Sequence, residues 1–271
     1  MQILKELMVF DRIVFLDRTH TYLIDNKPSA KCSVTKLLEY FKEPFDSLKW
    51  AKIKGQEIGM SAQEMQDHWT SKNNYSKVLG TIFHTYAENY YQNKVIPYDK
   101  NWVSEQLNSE QHSELRDTLE LLLKQFNNFY NDTKSYLVPI RNELVVGDLN
   151  ETRICGTIDL LCYNTKLECL ELYDFKTNKE FNYTNKYKKK FLAPLDHLDS
   201  CELNSYSLQL GLYKKFIESH TTLQIKNMFV LWINKNNDNY QLIPLLNLSS
   251  EVSLMLQKFD QNQIQEKTTN I

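Results

Sequence analysis

The fold turns on one stretch, RICGTIDLLCYNTKLECLELYDFKT, at residues 153–177. Two apolar runs, 153–163 and 167–176, flank the polar triplet Asn164-Thr165-Lys166. Strand-like runs joined by a short polar turn read as an antiparallel hairpin. Each run carries residues out of character with it. Asp159 lies among Ile158, Leu160 and Leu161, and Asp174 and Lys176 flank Phe175. Residues two apart in a strand share a face, so Asp174 and Lys176 point one way while Phe175 points into the core. A lone carboxylate in an apolar strand is costly unless it is paired, hydrogen-bonded or bound to metal. The hairpin carries Asp159 toward Asp174, and two adjacent acids favour a divalent cation held by oxygen. The plainer reading of Asp159 is a salt bridge to a lysine or a capped backbone turn. Two other Asp-x-Lys triplets lack this setting. Asp25-Asn26-Lys27 falls in a hairpin turn and Asp132-Thr133-Lys134 at a helix end, and both read as solvated surface.

Outward from the hairpin, residues 136–147 form a preceding strand, closed by the turn Asp148-Leu149-Asn150. Downstream, the spacing predicts a helix over 204–219, then strands over 226–234 and 239–246 about Asn236-Asn237-Asp238. A last helix starts at Ser249 or Ser250. Upstream, Leu115, Leu119, Leu122, Leu123 and Phe126 line one face of a helix over 109–132. Another helix is expected over Tyr75 to Asn93. Helical periodicity over 46–72 breaks near Gly55 and Gly59. Ser33 caps a helix through Phe41 that Pro44 stops, and residues 10–27 form a hairpin about Asp17-Arg18-Thr19. From residue 109 the order is helix, three strands, helix, strand. This describes an α/β protein with a central sheet, elaborated by helices at its N-terminal side. The whole of 1–271 reads as one domain: hairpin and helices over 1–74, a core with a helical insertion over 75–248, and a terminal helix over 249–271.

The 271 residues are 42% hydrophobic and 12% aromatic, enough for a large core. A net charge of −2 confines any nucleic-acid contact to a local basic patch. No apolar run reaches membrane-spanning length, so no membrane partner is expected. Lys5, Glu6, Asp11 and Arg12 interrupt the apolar stretch from Met1 to Leu16, which argues against a cleavable leader and for a cytoplasmic protein. Five cysteines are too few and scattered for a disulfide scaffold. Cys155, Cys162 and Cys169 fall inside strands and read as core packing. Abundant Asn, Lys, Ile and Tyr hint at an AT-rich genome such as a bacteriophage's. A glycine-rich nucleotide loop, a nucleophile elbow and a zinc-helix motif are all lacking, which counts against a small-molecule α/β enzyme.

Two helices add further polar residues. Gly80-Thr81-Ile82-Phe83-His84-Thr85-Tyr86-Ala87-Glu88 sets His84 and Glu88 one turn apart, and Gln209 and Tyr213 are spaced likewise. Each pair alone is ordinary helix surface. In sequence order, however, Gly-x-x-x-His-x-x-x-Glu, Gly-x-x-Asp (Gly156, Asp159), Asp-x-Lys-Thr (Asp174, Lys176, Thr177) and Gln-x-x-x-Tyr resemble the RecB-type branch of the PD-(D/E)XK nuclease superfamily, over about residues 80–218. The chain is most similar in plan to stand-alone phage and mitochondrial-type exonucleases, many of which follow a similar hairpin with Ser-Val-Thr, here Ser33-Val34-Thr35.

The resemblance implies a restriction-endonuclease-like core, a mixed sheet flanked by helices in αβββαβ order. It implies hydrolysis of DNA with Mg²⁺ or Mn²⁺, the cation held by His84, Asp159, Asp174 and the Phe175 carbonyl. Lys176 then assists the attacking water, and Glu143, in the first core strand, joins the catalytic acids. Glu88, Thr177, Gln209 and Tyr213 support the site and contact DNA. Lys186, Lys188, Lys189 and Lys190, with Tyr183 and Tyr187 interleaved, are candidates for phosphate and base contacts; the plainer reading is a solvated loop. Iron–sulfur members of the branch carry a cysteine cluster after the core. Here Cys32 precedes it but none follows Cys201, so no such cluster is expected. The implied partners are DNA with ends, single- or double-stranded, and a replication or recombination protein. An exonuclease is the favoured activity. An endonuclease of the same fold and a catalytically silent DNA-binding module are the alternatives.

Overall fold

The computed structural model describes residues 2–16, 19, 21–29, 32–92, 94 and 96–269, with side chains as far as residue 260. Met1, the Asp17-Arg18 part of the expected hairpin turn and the expected helix end at Asn93 lie outside the described residues. Helix α1 (Gln2–Leu7) leads through a tight helical turn into strands β1 (Ile13–Leu16), β2 (Thr21–Ile24) and β3 (Lys27–Pro28), a small antiparallel sheet. Asp25 and Asn26 take left-handed φ values of 52° and 60° at the β2–β3 turn, and Asp25 pairs with Arg12. That decoy triplet is surface structure, as expected.

Helix α2 (Val34–Tyr40) is capped by the Ser33 hydroxyl, which accepts from Lys36 N–H at 3.4 Å. Asp46 caps α3 (Ser47–Ile58). Gly55 stays helical, and the break comes at Gly59 alone, in the left-handed region at φ 74°. Helix α4 (Ala62–Tyr91) is thirty residues long and joins the helical stretch expected up to residue 72 to the helix expected from Tyr75. A reciprocal cap between Ser61 and Glu64 starts it, and the exposed residues Lys72 to Asn74 continue it without the expected gap. Helix α5 (Lys100–Gln106) was not expected; Asp99 caps it and Val103 anchors it in the core. Helix α6 (Ser109–Thr133) matches its reading within a residue.

The main sheet runs β4 (Leu137–Gly147), β5 (Cys155–Asn164), β6 (Cys169–Lys176), β7 (Ile225–Trp232) and β8 (Gln241–Pro244), in that spatial order. Only the β6–β7 pair is parallel, and helix α7 (Glu202–His220) makes that crossover, as a parallel pair requires. Helix α8 (Ser249–Thr269) ends the chain. Thus the sheet is mixed and flanked by helices, as the αβββαβ reading expected, with an added edge strand.

Two large hydrophobic cores cover its faces, beside a smaller cluster of Phe181, Val230 and Ile243. On one, Val146, Ile158, Leu172 and Met228 pack with the N-terminal hairpin, α2, α7 and α8. On the other, Leu160, Cys162, Tyr173, Phe175 and Leu231 pack with α4 and α6. Cys155 and Cys162 are buried within these two cores. Among the described residues, no helix is long and apolar enough to cross a membrane.

Candidate active site

The site forms where β5 and β6 part. Their ladder ends at Leu160 and Tyr173, so Asp159 and Asp174 stand just beyond the last pair. The Asp159 carboxylate takes the place of the missing strand contact: its Oδ2 accepts the Phe175 N–H at 2.6 Å. The plainer reading of Asp159 as a backbone cap is therefore part of its role. On its other side, the pairs Asn142–Leu160 and Leu144–Ile158 bracket Glu143 and Asp159 and set them opposite each other. Glu143 takes a φ of 47°, rare for a residue with a Cβ.

Strand alternation then sorts β6. Phe175 goes to the α4–α6 core, its ring about 6 Å from those of Phe83, Phe126 and His84. That packing fixes the face of α4 which carries His84, and His84 Nδ1 lies 3.5 Å from Asp159 Oδ1. Asp174 and Lys176 point to the α7 side. Lys176 Nζ lies 2.6 Å from Asp174 Oδ2 and 5.0 Å from the centre of the Tyr206 ring. From α7, the Gln209 amide donates to Asp174 Oδ1 at 3.4 Å and to the Tyr213 hydroxyl at 3.2 Å. Gly156 makes this possible, because a Cβ there would lie 2.5 Å from the buried Tyr213 ring. A Cβ at Gly80, by contrast, would meet nothing within 4 Å.

Charges at the site oppose one another at close range. Burial resists charge on His84, but the Asp159 carboxylate outweighs it and raises the imidazole pKa. Burial likewise resists ionisation of Asp159, yet His84, Lys176 and the Phe175 N–H hold its pKa down. Asp174 is pushed up to about 6, by burial first, with Lys176 only partly compensating. Burial and then Asp159 push Glu143 up to about 8. Burial acts against the Lys176 ammonium, but Asp174 and Asp159 prevail and hold its pKa above the ordinary lysine value.

Ligand atoms of His84, Glu143 and Asp159 all lie within 4.8 Å of one another; Asp174, expected among the ligands, is outside this group, and Glu143, expected as a catalytic acid, stands in it. The two carboxylates suit Mg²⁺ or Mn²⁺, and the imidazole nitrogen is the softer ligand of the three. The surroundings also fit a cation. Glu143 is crowded by negative charge, and the buried Asp174 Oδ2 touches the Lys176 ammonium yet accepts no hydrogen bond of good geometry.

The structure thus draws His84, Glu143, Asp159, Asp174, Lys176, Gln209 and Tyr213 together. Phe175 contributes its backbone to the same place. Glu88, one turn beyond His84, is near enough to Glu143 to raise its pKa, and its carboxylate accepts from Gln92. Thr177 follows Lys176 at half-buried depth. The lysines 186–190 lie apart, on the connection to α7, where Lys189 pairs with Glu43 and Lys190 with Asp199. Tyr206, against Lys176, was not singled out from sequence. Its place on the Gln209–Tyr213 helix, three residues before Gln209, was the available signal.

The chain matches the family described as the PD-(D/E)XK nuclease superfamily over residues 59–266. No curated protein matches it. Among solved structures, the one described as "Crystal structure of SSO0001" superposes with a TM-score of 0.30 at 12% identity, over 57% of this chain. This chain spans 63% of that chain's length.

Proposed function

The chain belongs to the PD-(D/E)XK nuclease superfamily, and from that premise we propose that it is a Mg²⁺- or Mn²⁺-dependent deoxyribonuclease of the RecB-type branch, acting from DNA ends. The observation that carries this reading is the convergence of His84, Glu143 and Asp159 within ligand distance of one another, beside the buried Asp174 and its half-buried partner Lys176. His84, Glu143 and Asp159 would hold the cation, with Asp174 and the Phe175 carbonyl completing its shell. When bound, such an ion activates water and offsets charge on a phosphodiester.

The rest falls to the protein's own side chains. Lys176 presents a fixed ammonium to the phosphate oxygens as negative charge grows on them. Asp174 holds that ammonium in place, and Tyr206 closes the other side of it. Gln209, pinned by Tyr213, orients Asp174 in turn. Glu88 and Thr177 border the site and support it. Lys186, Lys188, Lys189 and Lys190 would meet the DNA backbone beyond it. The leaving oxygen departs in line with the attacking water, leaving a 5′ phosphate. A role in phage-type replication, recombination or repair follows from this reading, with DNA as substrate and a replication or recombination protein as its companion.

The test is digestion of linear, end-labelled and covalently closed circular DNA with Mn²⁺ or Mg²⁺, against EDTA. We expect linear DNA to be degraded and circles to survive. Linearised circles would make the enzyme an endonuclease. DNA binding without cleavage under either metal would leave a silent binding module.

A further inference from the structure

Between β6 and α7, residues 177–201 form a connection without regular elements, and its first half displays aromatic rings. Tyr183 and Tyr187 are 57% and 61% exposed. Their backbone is nonetheless firmly held. The Asn185 side-chain oxygen accepts from the N–H groups of Tyr187 and Lys189, and its amide donates to the Ser200 carbonyl at 2.6 Å. Lys188 N–H closes a turn onto the Asn185 carbonyl, with Lys188 itself at φ 54°. Ser200 N–H donates back to the Lys189 carbonyl. A turn fixed at this many points still offers two rings to water.

Single exposed apolar side chains are commonplace. These two are set apart by what adjoins them. Tyr183 lies 5.3 Å from the Phe181 ring, Phe181 lies 5.8 Å from Tyr206, and Tyr206 touches Lys176. Ring contacts therefore link the site lysine to an exposed tyrosine, through the buried Phe181. On the other side of the turn, Tyr187 meets Trp50 of α3 at 6.2 Å, so the N-terminal helices wall the same path. The Lys186 ammonium lies 5.6 Å from the Tyr187 ring centre. Lys189 and Lys190 are occupied by acids, but among the described residues neither Lys186 nor Lys188 forms an ion pair.

Rings interleaved with ammonium groups that no acid neutralises have the chemistry to receive an unpaired nucleic-acid strand. Every base offers a π-face that an aromatic side chain can stack on, and every phosphate offers a charge. A duplex keeps its bases stacked internally and presents chiefly phosphates to such a surface. We propose that Tyr183 and Tyr187 form a stacking platform for unpaired bases, so that the DNA strand reaching Lys176 is single-stranded across this turn. The proposal rests on the nuclease reading above and adds its substrate class.

The test is equilibrium binding in EDTA, where cleavage stops, of three labelled probes of equal length: an oligothymidylate of about 16 nucleotides, an abasic strand, and a blunt duplex. The protein should bind the oligothymidylate at least about tenfold more tightly than either other probe. The double variant Tyr183→Ala/Tyr187→Ala should lose about tenfold or more toward the oligothymidylate and nothing toward the abasic strand. Tyr183→Phe/Tyr187→Phe should bind as the parent does, since stacking needs the ring and not the hydroxyl. Equal affinity of the parent for thymidylate and abasic strands would overturn the platform. So would a double alanine variant with undiminished binding. Cleavage of the same oligothymidylate with Mn²⁺ reports separately on the nuclease reading. Binding without cleavage sinks that reading and leaves the platform standing; cleavage without preference for bases does the reverse.

Discussion

Glu143 holds a φ of 47° in the middle of a strand, a conformation that costs a side chain with a Cβ about 1–2 kcal/mol. Its carboxyl is also pushed up to about 8 by burial and by Asp159. Strain and crowded charge at one residue suggest that stability is given up there for a ligand position. Glu143→Gln should therefore raise the melting temperature of the metal-free protein, and should shrink the further rise that Mn²⁺ gives the parent protein through binding to the folded state. Thermal unfolding of both proteins with and without Mn²⁺ checks this; an unchanged Mn²⁺ response would remove Glu143 from the cation shell. His84→Ala should likewise weaken Mn²⁺ binding in a calorimetric titration, and unchanged binding would make His84 purely structural. Lys176→Ala should keep the native circular dichroism and lower cleavage by about 10²–10³-fold. Undiminished cleavage would place the chemistry elsewhere.

At the scale of elements, the site depends on how closely α7 approaches β5. Gly156 and the Tyr213 ring are in contact, and Tyr213 is almost wholly buried, so it has no room to retreat. Gly156→Ala should cost about 1–3 kcal/mol by overpacking. It should also impair cleavage, because Gln209 bridges Tyr213 and Asp174. Urea unfolding alongside an activity assay reads both effects. The β4–β5 connection is held by another carboxylate. Asp148 accepts the N–H groups of Asn150 and Thr152 and the Thr152 hydroxyl. Burial opposes its ionisation, but these donors prevail and hold its pKa below the ordinary aspartate value. A depressed folded pKa contributes stability that is present above the unfolded value and is lost as pH falls through the folded one. Asp148→Ala should then cost about 1–2 kcal/mol near neutrality, and the gap to the parent should narrow in acid. A gap that stays constant down to pH of about 3 would mean the carboxylate is not what holds the turn.

Across the whole molecule, the mixed sheet separates two cores, and the site sits at the strand ends between them. Helix α4 belongs to one core and α7 to the other. His84 therefore reaches Asp159 from one face while Gln209 reaches Asp174 from the opposite face. No local segment could assemble that set. A change that loosens either core should be felt at the site from a distance. Phe175→Ala removes a ring packed on Phe83, Phe126 and His84, and should cost about 3–5 kcal/mol.

The strand triplet around residues 136–176, the helix over 204–219 and the motif residues on them were legible because period-two and period-3.6 patterns are local consequences of burial on one face. Asp159 stood out because an acid in an apolar run contradicts that pattern. Helix α4 was read as two pieces, since the exposed residues around Lys72 to Asn74 carry no apolar pattern, and α5 was missed because a short helix with one anchoring valine carries almost no periodicity. The identities of the acids, imidazole and lysine were thus determined by the sequence. Which of them stand within reach of one cation was decided only in three dimensions. There the parting of β5 from β6 let Asp159 cap Phe175, strand register set Glu143 opposite Asp159, and the Phe175 ring fixed the helix that carries His84. Register and helix packing come from contacts between residues far apart in the chain, and no short window of sequence contains both partners.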